Sequence, residues 1–152
     1  MDKKLKKLTP DLFACSAETD VRYRDLDTLG HVNNGVYVAY MEFGRTAYFH
    51  RYLAEEIDWK TKGFVIGTNH IVYAKPLYLF DKMRIFTGIG KIGEKSITSV
   101  QLIQNQRGDN IAYAYSVLVA LDFVTGKTIP VPADWKKKIS DTDKHLLAFF
   151  QG

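Results

Sequence analysis

The sequence predicts an α+β fold in which one curled antiparallel sheet wraps a single long helix. A proline-free, aromatic-rich segment at residues 34–53 has apolar side chains on more than one helical face, which is typical of an enclosed helix. Four β-branched and aromatic segments with short separators follow it and predict consecutive antiparallel strands. A sheet of long strands curls because its strands twist, so it can surround a helix along its length.

Length and composition indicate one domain. The chain has 152 residues, of which 46% are hydrophobic, enough for a core without disulfides. Its one cysteine, Cys15, cannot form an internal disulfide, which favours a reducing compartment. Neither an export signal nor a membrane span is visible in the sequence, so we expect a cytoplasmic protein. We expect a single domain over 1–152, with its core at about 18–125.

Positive charge is concentrated in two lysine clusters. The net charge is +4, from 21 Lys and Arg against 17 Asp and Glu, and the excess lies mainly at 3–7 and 136–138. Solvated lysines explain such clusters better than nucleic-acid contacts, because no nucleic-acid-binding motif accompanies them. We therefore expect neither a nucleic-acid partner nor a membrane partner.

The N-terminal part of the chain carries weak structural signals. Residues 1–16 are predicted to be a basic lead-in. The segment 19–24 alternates polar residues with Val21 and Tyr23, which predicts a strand with one buried face.

A polar loop separates this strand from the long helix. Residues 25–33 contain a glycine and several side chains that accept hydrogen bonds, as loops do. Asn33 or Asn34 is expected to be the helix N-cap, since an asparagine oxygen can accept from the free amides of the first turn.

The second half of the chain is predicted to form the sheet and a helical tail. The connections at 93–95 and 107–110 are hairpin signals, and Gly88 or Gly90 is expected to allow a bend or bulge. The predicted strands are 64–73, 83–91, 96–104 and 111–124, and short helices are predicted within 133–150.

The loop and the helix start carry a motif. It reads Tyr23-x-Asp25-x-Asp27-x-x-Gly30-His31-Val32-Asn33-Asn34-x-x-Tyr37, followed by Glu42-x-x-Arg45, and continues in Ile71-x-Tyr73-x-x-Pro76 and Asp81. This pattern resembles the hotdog-fold acyl-CoA thioesterases of the 4-hydroxybenzoyl-CoA thioesterase type. It is also similar to plant-type acyl-carrier-protein thioesterases, but those have an asparagine two residues after the acid, where this chain has Leu29.

The resemblance implies a fold, a reaction and an assembly. It implies a hotdog fold that hydrolyses acyl-CoA to a free acid and CoA, with no cofactor beyond the coenzyme A of the substrate. It also implies homodimers joined edge to edge, often paired into tetramers, with active sites at the subunit interface. Three alternatives stay open: an acyl-carrier-protein thioesterase, a non-catalytic acyl-CoA-binding module and, less favoured, a hotdog dehydratase.

The resemblance assigns the central chemistry to Asp27. By its place in the motif, Asp27 is the nucleophile or general base, although an aspartate near a helix start is ordinarily a cap or turn residue. Thioester hydrolysis also needs donors for the carbonyl oxygen as it becomes negative, and the backbone N–H of Asn34 at the helix start is our candidate. Asp25 is expected to be a turn residue or a partner of Arg22 or Arg24.

Other motif residues have competing interpretations. His31 either orients Asp27 or the attacking water, or is a loop histidine bonded to the backbone. Gly30 and Asn33 are candidate substrate-binding residues. Glu42 is a second candidate base, and the alternative is an ion pair with Arg45 one helical turn later.

The remaining candidates concern the substrate's acyl and phosphate groups. Tyr37 and Tyr73 could line an acyl pocket, although tyrosines on an enclosed helix belong to the core by default. The basic residues near the strands could contact the phosphates of coenzyme A, but are more commonly just solvated. The histidine spacing fits no metal template, so no metal is expected. The basic residues considered are Lys75, Lys82 and Arg84, and the histidines are His50, His70 and His145.

Overall fold

A computed structural model describes all residues, 1–152. Six strands form one sheet, four α-helices lie against it, and single 3-10 turns occur at Pro10–Leu12, Tyr23–Asp25 and Asn34–Val36. The strands are β1 (Cys15–Asp20), β2 (Lys62–Tyr73), β3 (Lys82–Ile92), β4 (Ser96–Asn105), β5 (Asn110–Asp122) and β6 (Lys127–Thr128). The helices are α1 (Asp2–Leu5), α2 (Tyr37–Tyr52), α3 (Ala133–Thr142) and α4 (Lys144–Gln151).

The sheet is antiparallel throughout, with strand order β1-β3-β4-β5-β2 and β6 beside β5. The predicted curled sheet around one long helix is confirmed, as are the four long strands. The register of β3 against β4 shifts between Ile89 and Lys91, so the bulge predicted at a glycine lies at Gly90. None of the helices is long and apolar enough to cross a bilayer.

The first strand lies earlier in the chain than predicted. Segment 19–24 was expected, but β1 spans Cys15–Asp20 and pairs with β3 from Cys15 opposite Thr87 to Asp20 opposite Lys82. The strand prediction was wrong at its C-terminal end because the side chain of Asp25 accepts a hydrogen bond from the N–H of Arg22 and turns the chain there.

Helix α2 lies flat on the concave face of the sheet. A Cβ atom at Gly44 would lie 2.6 Å from Thr87 Oγ1 and 2.7 Å from Gln101 Nε2, so only glycine permits this close approach. The side-chain amide of Gln101 donates to the backbone carbonyl of Met41 at 2.9 Å, which ties the helix backbone to the sheet.

The prediction that α2 is enclosed holds for one side of the helix. Tyr37, Met41 and Tyr48 are buried against the sheet, whereas Val38 and Phe43 are 40% and 44% exposed. The sheet of one chain curls far enough to cover one side of the helix and leaves the apolar residues of the other side open.

The convex face of the sheet is covered by the two ends of the chain. Leu5 and Leu8 from the N-terminal segment and Leu146 from α4 pack on Val100 and Leu102 of β4. The basic lead-in at 1–16, whose structural signals in the sequence are weak, is therefore ordered: Leu5 and Leu8 are buried on the sheet face that they cover. The ammonium of Lys4 also donates to the carbonyl of Phe150 at 3.2 Å.

Candidate active site

The loop between β1 and α2 is closed on itself by backbone hydrogen bonds. Leu26 and Val32 form an isolated antiparallel bridge, and the N–H of Asp27 donates to the carbonyl of His31 at 2.9 Å. Gly30 has a φ of +82°, a conformation that glycine adopts without strain. Gly30 is thus required for the turn that brings His31 back towards Asp27.

The Asp27 carboxylate is held in place but open to solvent. One oxygen accepts from the N–H of Leu29 at 2.8 Å, and the other lies 3.6 Å from His31 Nδ1. The side chain is 24% exposed. Asp27 therefore both forms a local turn and lies close to His31. Neither contact closes the carboxylate off from a ligand.

His31 fits both of its predicted interpretations. Its Nδ1 lies 3.4 Å from the carbonyl of Val32 as well as 3.6 Å from the carboxylate of Asp27. The imidazole also lines a small cavity of about 200 Å³ together with Asn34, Tyr37 and Tyr73. The histidine thus connects the carboxylate to the cavity at the helix start.

The helix start presents a free backbone amide beside this cavity. The side-chain oxygen of Asn33 accepts from the N–H of Gly35 at 2.8 Å, so Asn33 is the cap residue. The N–H of Asn34 has no acceptor within the protein. The hydroxyl of Tyr73 donates to the carbonyl of Asn34 at 2.8 Å and holds this peptide unit at the cavity wall. The helix dipole also favours negative charge there.

Tyr37 forms the buried wall of the small cavity. Its ring packs edge-to-face on Tyr40 and Tyr73, with centroid distances of 5.8 and 5.0 Å. Burial raises the pKa of Tyr37 to about 12, and the nearby Tyr73 adds to this effect. The phenol stays neutral at physiological pH and therefore acts as a wall rather than a base.

Asp25 has a structural role. It is 3% exposed, and one carboxylate oxygen accepts from the Tyr40 hydroxyl at 2.7 Å and from the N–H of Arg22 at 3.0 Å. Burial by itself raises the pKa of Asp25, but the hydrogen bonds from Arg22 and Tyr40 and the Arg22 charge outweigh it and lower the pKa. Asp25 fixes the loop to α2 and does not line the small cavity.

A second, larger cavity runs along the open side of α2 towards β2, and we call it the α2–β2 groove. Its volume is about 630 Å³, within the usual range for small-molecule sites. Its helix residues begin at Val38, one turn after Asn34, and continue through Glu42 and Arg45. Most of the lining is apolar; it consists of Val38, Glu42, Arg45, Thr46, Phe49, His50, Ala54, Trp59, Phe64, Ile66, Asn69 and Leu118.

The expected ion pair between Glu42 and Arg45 is absent. The guanidinium of Arg45 is 6% exposed and turns into the sheet, where Nη1 donates to the Ser116 hydroxyl at 3.1 Å. Glu42 is exposed and lines the groove. The prediction was wrong because the Arg45 side chain turns inward to Ser116 whereas the Glu42 side chain stays exposed, so their charged groups do not meet.

Other candidates have local partners. Lys75 lies 3.6 Å from Asp109, Arg84 pairs with Glu18, and His70 lies 2.8 Å from Asp2. No group of three or more His, Cys, Asp or Glu side chains is placed to hold a metal ion.

The family follows from comparison with known proteins. Residues 21–139, which include the loop, α2, the small cavity and the groove, match the model of the thioesterase-like superfamily. The chain belongs to the thioesterase-like superfamily. This assignment supports thioester hydrolysis as its class of reaction.

Members of this superfamily with known sequences or structures span nearly the whole chain. A thioesterase from Thermus thermophilus, crystallised with coenzyme A and Zn, is 32% identical and has a TM-score of 0.76, covering 87% of this chain and 96% of that one. A predicted thioesterase from Bacillus stearothermophilus is 27% identical, with a TM-score of 0.74 and coverage of 84% and 94%. The long-chain acyl-CoA thioesterase FadM of Escherichia coli (strain K12) is 27% identical over 128 residues, covering 82% and 96%. The resemblance to hotdog-fold thioesterases is confirmed.

The β-strand half of the groove was not predicted from the sequence. Phe64, Asn69 and Leu118 line it, and Ser116 supports Arg45 from below. Strand alternation could have placed these residues on one face, but it does not show that this face meets α2.

Proposed function

We propose that the protein hydrolyses acyl-CoA thioesters to a free acid and coenzyme A, with Asp27 as nucleophile or general base. One observation carries the proposal: the loop holds a solvent-accessible carboxylate 3.6 Å from His31, and His31 lines a cavity together with Asn34, whose N–H has no acceptor within the protein. A carboxylate and an amide donor are the two groups that thioester hydrolysis needs from a protein.

The reaction can proceed by two routes from these groups. As general base, Asp27 removes a proton from water while the water oxygen attacks the thioester carbon. As nucleophile, its carboxylate attacks that carbon and forms an anhydride, which water then hydrolyses. In both routes the N–H of Asn34 donates to the oxyanion, and the C–S bond breaks to release a thiolate that needs little acid assistance.

The α2–β2 groove is the proposed site for the acyl chain. It starts one helical turn after Asn34 and is lined mainly by apolar side chains. A chain that enters past the Asn34 amide would place its carbonyl at the helix start and its alkyl part against Phe49, Phe64 and Ile66. The known substrate class of FadM, long-chain acyl-CoA, supports the same arrangement here.

We propose that a second copy of the chain completes the site. Strand β2 is an edge strand with no partner on its outer side, and Val65 and Ile66 on it are 39% and 43% exposed. Val38 and Phe43 on the open side of α2 are exposed as well. Edge pairing of two β2 strands would cover these residues, and light scattering would then give the mass of a dimer or of a pair of dimers.

The test is the hydrolysis of a panel of acyl-CoAs, which is measured as the release of free thiol. We expect the Asp27→Asn variant to lose roughly a hundredfold to ten-thousandfold in kcat, the usual contribution of a catalytic base. Each acyl chain is also presented on a carrier protein, and a higher kcat/KM for the coenzyme A form supports the proposed substrate.

Asp58→Asn is the matched control. Asp58 makes the same type of turn as Asp27, with a side-chain oxygen accepting from an N–H two residues later at 3.1 Å, and it lies in an exposed loop. Equal rates for wild type and Asp27→Asn would refute the role of Asp27. Binding of acyl-CoA without any turnover by wild type would identify a binding module instead.

A further inference from the structure

The α2–β2 groove contains a buried positive charge in a wall that is mainly apolar. Arg45 is 6% exposed and lies among Phe49, Phe64 and Leu118 in the groove lining. Removing a guanidinium from water is costly unless its N–H groups find acceptors and its charge finds a partner. The protein keeps this arginine in a place where a leucine would suit an alkyl chain better.

No carboxylate of the chain forms a salt bridge with Arg45. Burial lowers the pKa of Arg45, and the negative charge of Glu42 opposes that effect from a greater distance. An arginine remains protonated in proteins even so. The charge is therefore present in the wall without a direct partner from its own subunit.

Two polar side chains hold the guanidinium in one orientation. Arg45 Nη1 donates to the Ser116 hydroxyl at 3.1 Å, and that hydroxyl donates to Asn69 Oδ1 at 2.6 Å. Ser116 is fully buried, and Asn69 lines the groove. A guanidinium has five N–H donors, and this contact uses one of them. Donors therefore remain for an acceptor inside the groove.

We propose that Arg45, positioned by Ser116 and Asn69, binds an oxygen atom on the far part of the acyl chain. The enzyme then prefers acyl thioesters with a hydroxyl or carboxyl oxygen there to unsubstituted ones of equal length. This inference rests on the proposed function of the site. An alkyl group would strip water from the guanidinium without replacing its hydrogen bonds, whereas an oxygen replaces them.

The position of Arg45 sets the chain length for a test. Residues 34 and 45 are eleven positions apart, which corresponds to about 17 Å along the helix axis. An extended chain of about twelve carbons spans roughly 14 Å, because each C–C bond of about 1.5 Å advances the zigzag by only about 1.25 Å. A terminal oxygen adds roughly 1 Å and brings the end of the chain near Arg45. Dodecanoyl-CoA, 12-hydroxydodecanoyl-CoA and the CoA monothioester of dodecanedioic acid are therefore the probes.

The experiment compares kcat/KM for these three probes in wild type and in Arg45→Met, which keeps an unbranched apolar stem and removes the guanidinium. We expect wild type to favour at least one oxygenated probe by roughly tenfold to a hundredfold, the value of one or two buried hydrogen bonds. Arg45→Met should remove this preference, so that its kcat/KM values for the three probes become similar. The hydroxyl and dicarboxylic probes show whether a neutral or a charged oxygen is recognised.

Two further variants guard against a purely structural effect. Asn69→Ala should weaken the preference while leaving the buried Ser116 in place. Arg51→Met removes an arginine of the same helix whose guanidinium bonds Ser16 outside the groove, and it should leave the preference unchanged. An equal loss of kcat/KM on all three probes in Arg45→Met would overturn the inference and assign Arg45 to folding or to a carboxylate of a second copy. A wild-type kcat/KM ratio near one between the oxygenated probes and dodecanoyl-CoA would overturn it as well.

Failure of the proposed function would look different. Calorimetric binding of the same probes to Asp27→Asn and to the Asp27→Asn/Arg45→Met double variant measures the preference without turnover. Binding that discriminates between probes in the first protein and not in the second supports the oxygen contact even if no hydrolysis is found. Binding without discrimination in the first protein overturns it.

Discussion

The aspartate of the loop that precedes helix α2 and the aspartate that bonds Tyr48 in its last turns have opposite environments. At the N-terminal end the Asp27 carboxylate lies in a surface loop beside His31, partly open to solvent. At the C-terminal end Asp143 is 1% exposed, and its Oδ2 accepts from the Tyr48 hydroxyl at 2.5 Å and from the N–H of Ile89 at 3.0 Å. The first environment leaves the carboxylate accessible, as the role that we propose for Asp27 requires, whereas the second encloses a carboxylate that joins elements.

Asp143 stabilises the fold at some electrostatic cost. It lies between α3 and α4, and through Tyr48 and Ile89 it joins that junction to α2 and β3. Its second oxygen has no hydrogen-bond partner. Burial raises the pKa of Asp143 to about 6, although the hydrogen bonds from Tyr48 and Ile89 act in the opposite direction. The loop at the other end of the helix has no comparable buried and incompletely satisfied group.

The largest expected difference between the two ends is in stability. Asp143→Ala leaves the Tyr48 hydroxyl and the Ile89 N–H without an acceptor in the core, so we expect a loss of about 3 kcal/mol in the free energy of unfolding. Asp27→Asn retains its turn and should change that energy by less than about 0.5 kcal/mol. Urea denaturation of both variants measures the difference, and similar losses for the two would remove the distinction.

The pH dependence of stability should identify Asp143 directly. Because its pKa is raised to about 6 from 3.8, the protonated form is favoured in the folded state, and its contribution is complete below about pH 4. Between about pH 4 and pH 7 the wild type should lose about 2–3 kcal/mol relative to Asp143→Asn. Asp25, whose pKa is lowered, acts with the opposite sign and loses its contribution as the pH falls below its unfolded-state value. Denaturation curves of wild type and Asp143→Asn from pH 4 to 8 test the Asp143 assignment. A difference in unfolding free energy that stays constant with pH would contradict it.

The smallest expected effect concerns the hydroxyl that fixes the active-site loop to α2. Tyr40→Phe removes the hydrogen bond to Asp25 and should cost about 1–2 kcal/mol of stability, since the acceptor is a buried carboxylate. Activity should fall by less than tenfold, because Asp27 and Asn34 keep their local hydrogen bonds. Thermal unfolding and acyl-CoA turnover of the same preparation measure both quantities, and an activity loss as large as that of Asp27→Asn would place Tyr40 in the chemistry.

Local patterns in the sequence were sufficient for the long helix, the four long strands and the loop at the helix start. Hairpin connections and strand alternation depend on neighbouring residues, and the cap at Asn33 is a contact over two positions. Contacts between distant segments were not predictable in the same way. Arg45 was expected to pair with Glu42, but its partner Ser116 lies 71 positions away, and the Asp143 partner Tyr48 lies 95 positions away. Spacing shows which residues share a helix face, but it does not show which face the sheet covers.

The glycine at position 44 has a consequence for substrate range. With no side chain there, the helix rests directly on the strands beneath it, and a Cβ atom would already overlap Ile85 at 2.7 Å. Helix α2, which forms that wall of the groove, therefore cannot move towards the sheet to make room for a larger ligand. Any adjustment to a larger ligand must come from the opposite side of the groove, where Trp59 and Ile66 are 42% and 43% exposed. Substitutions on that side should therefore broaden or narrow the set of accepted molecules without loosening the scaffold.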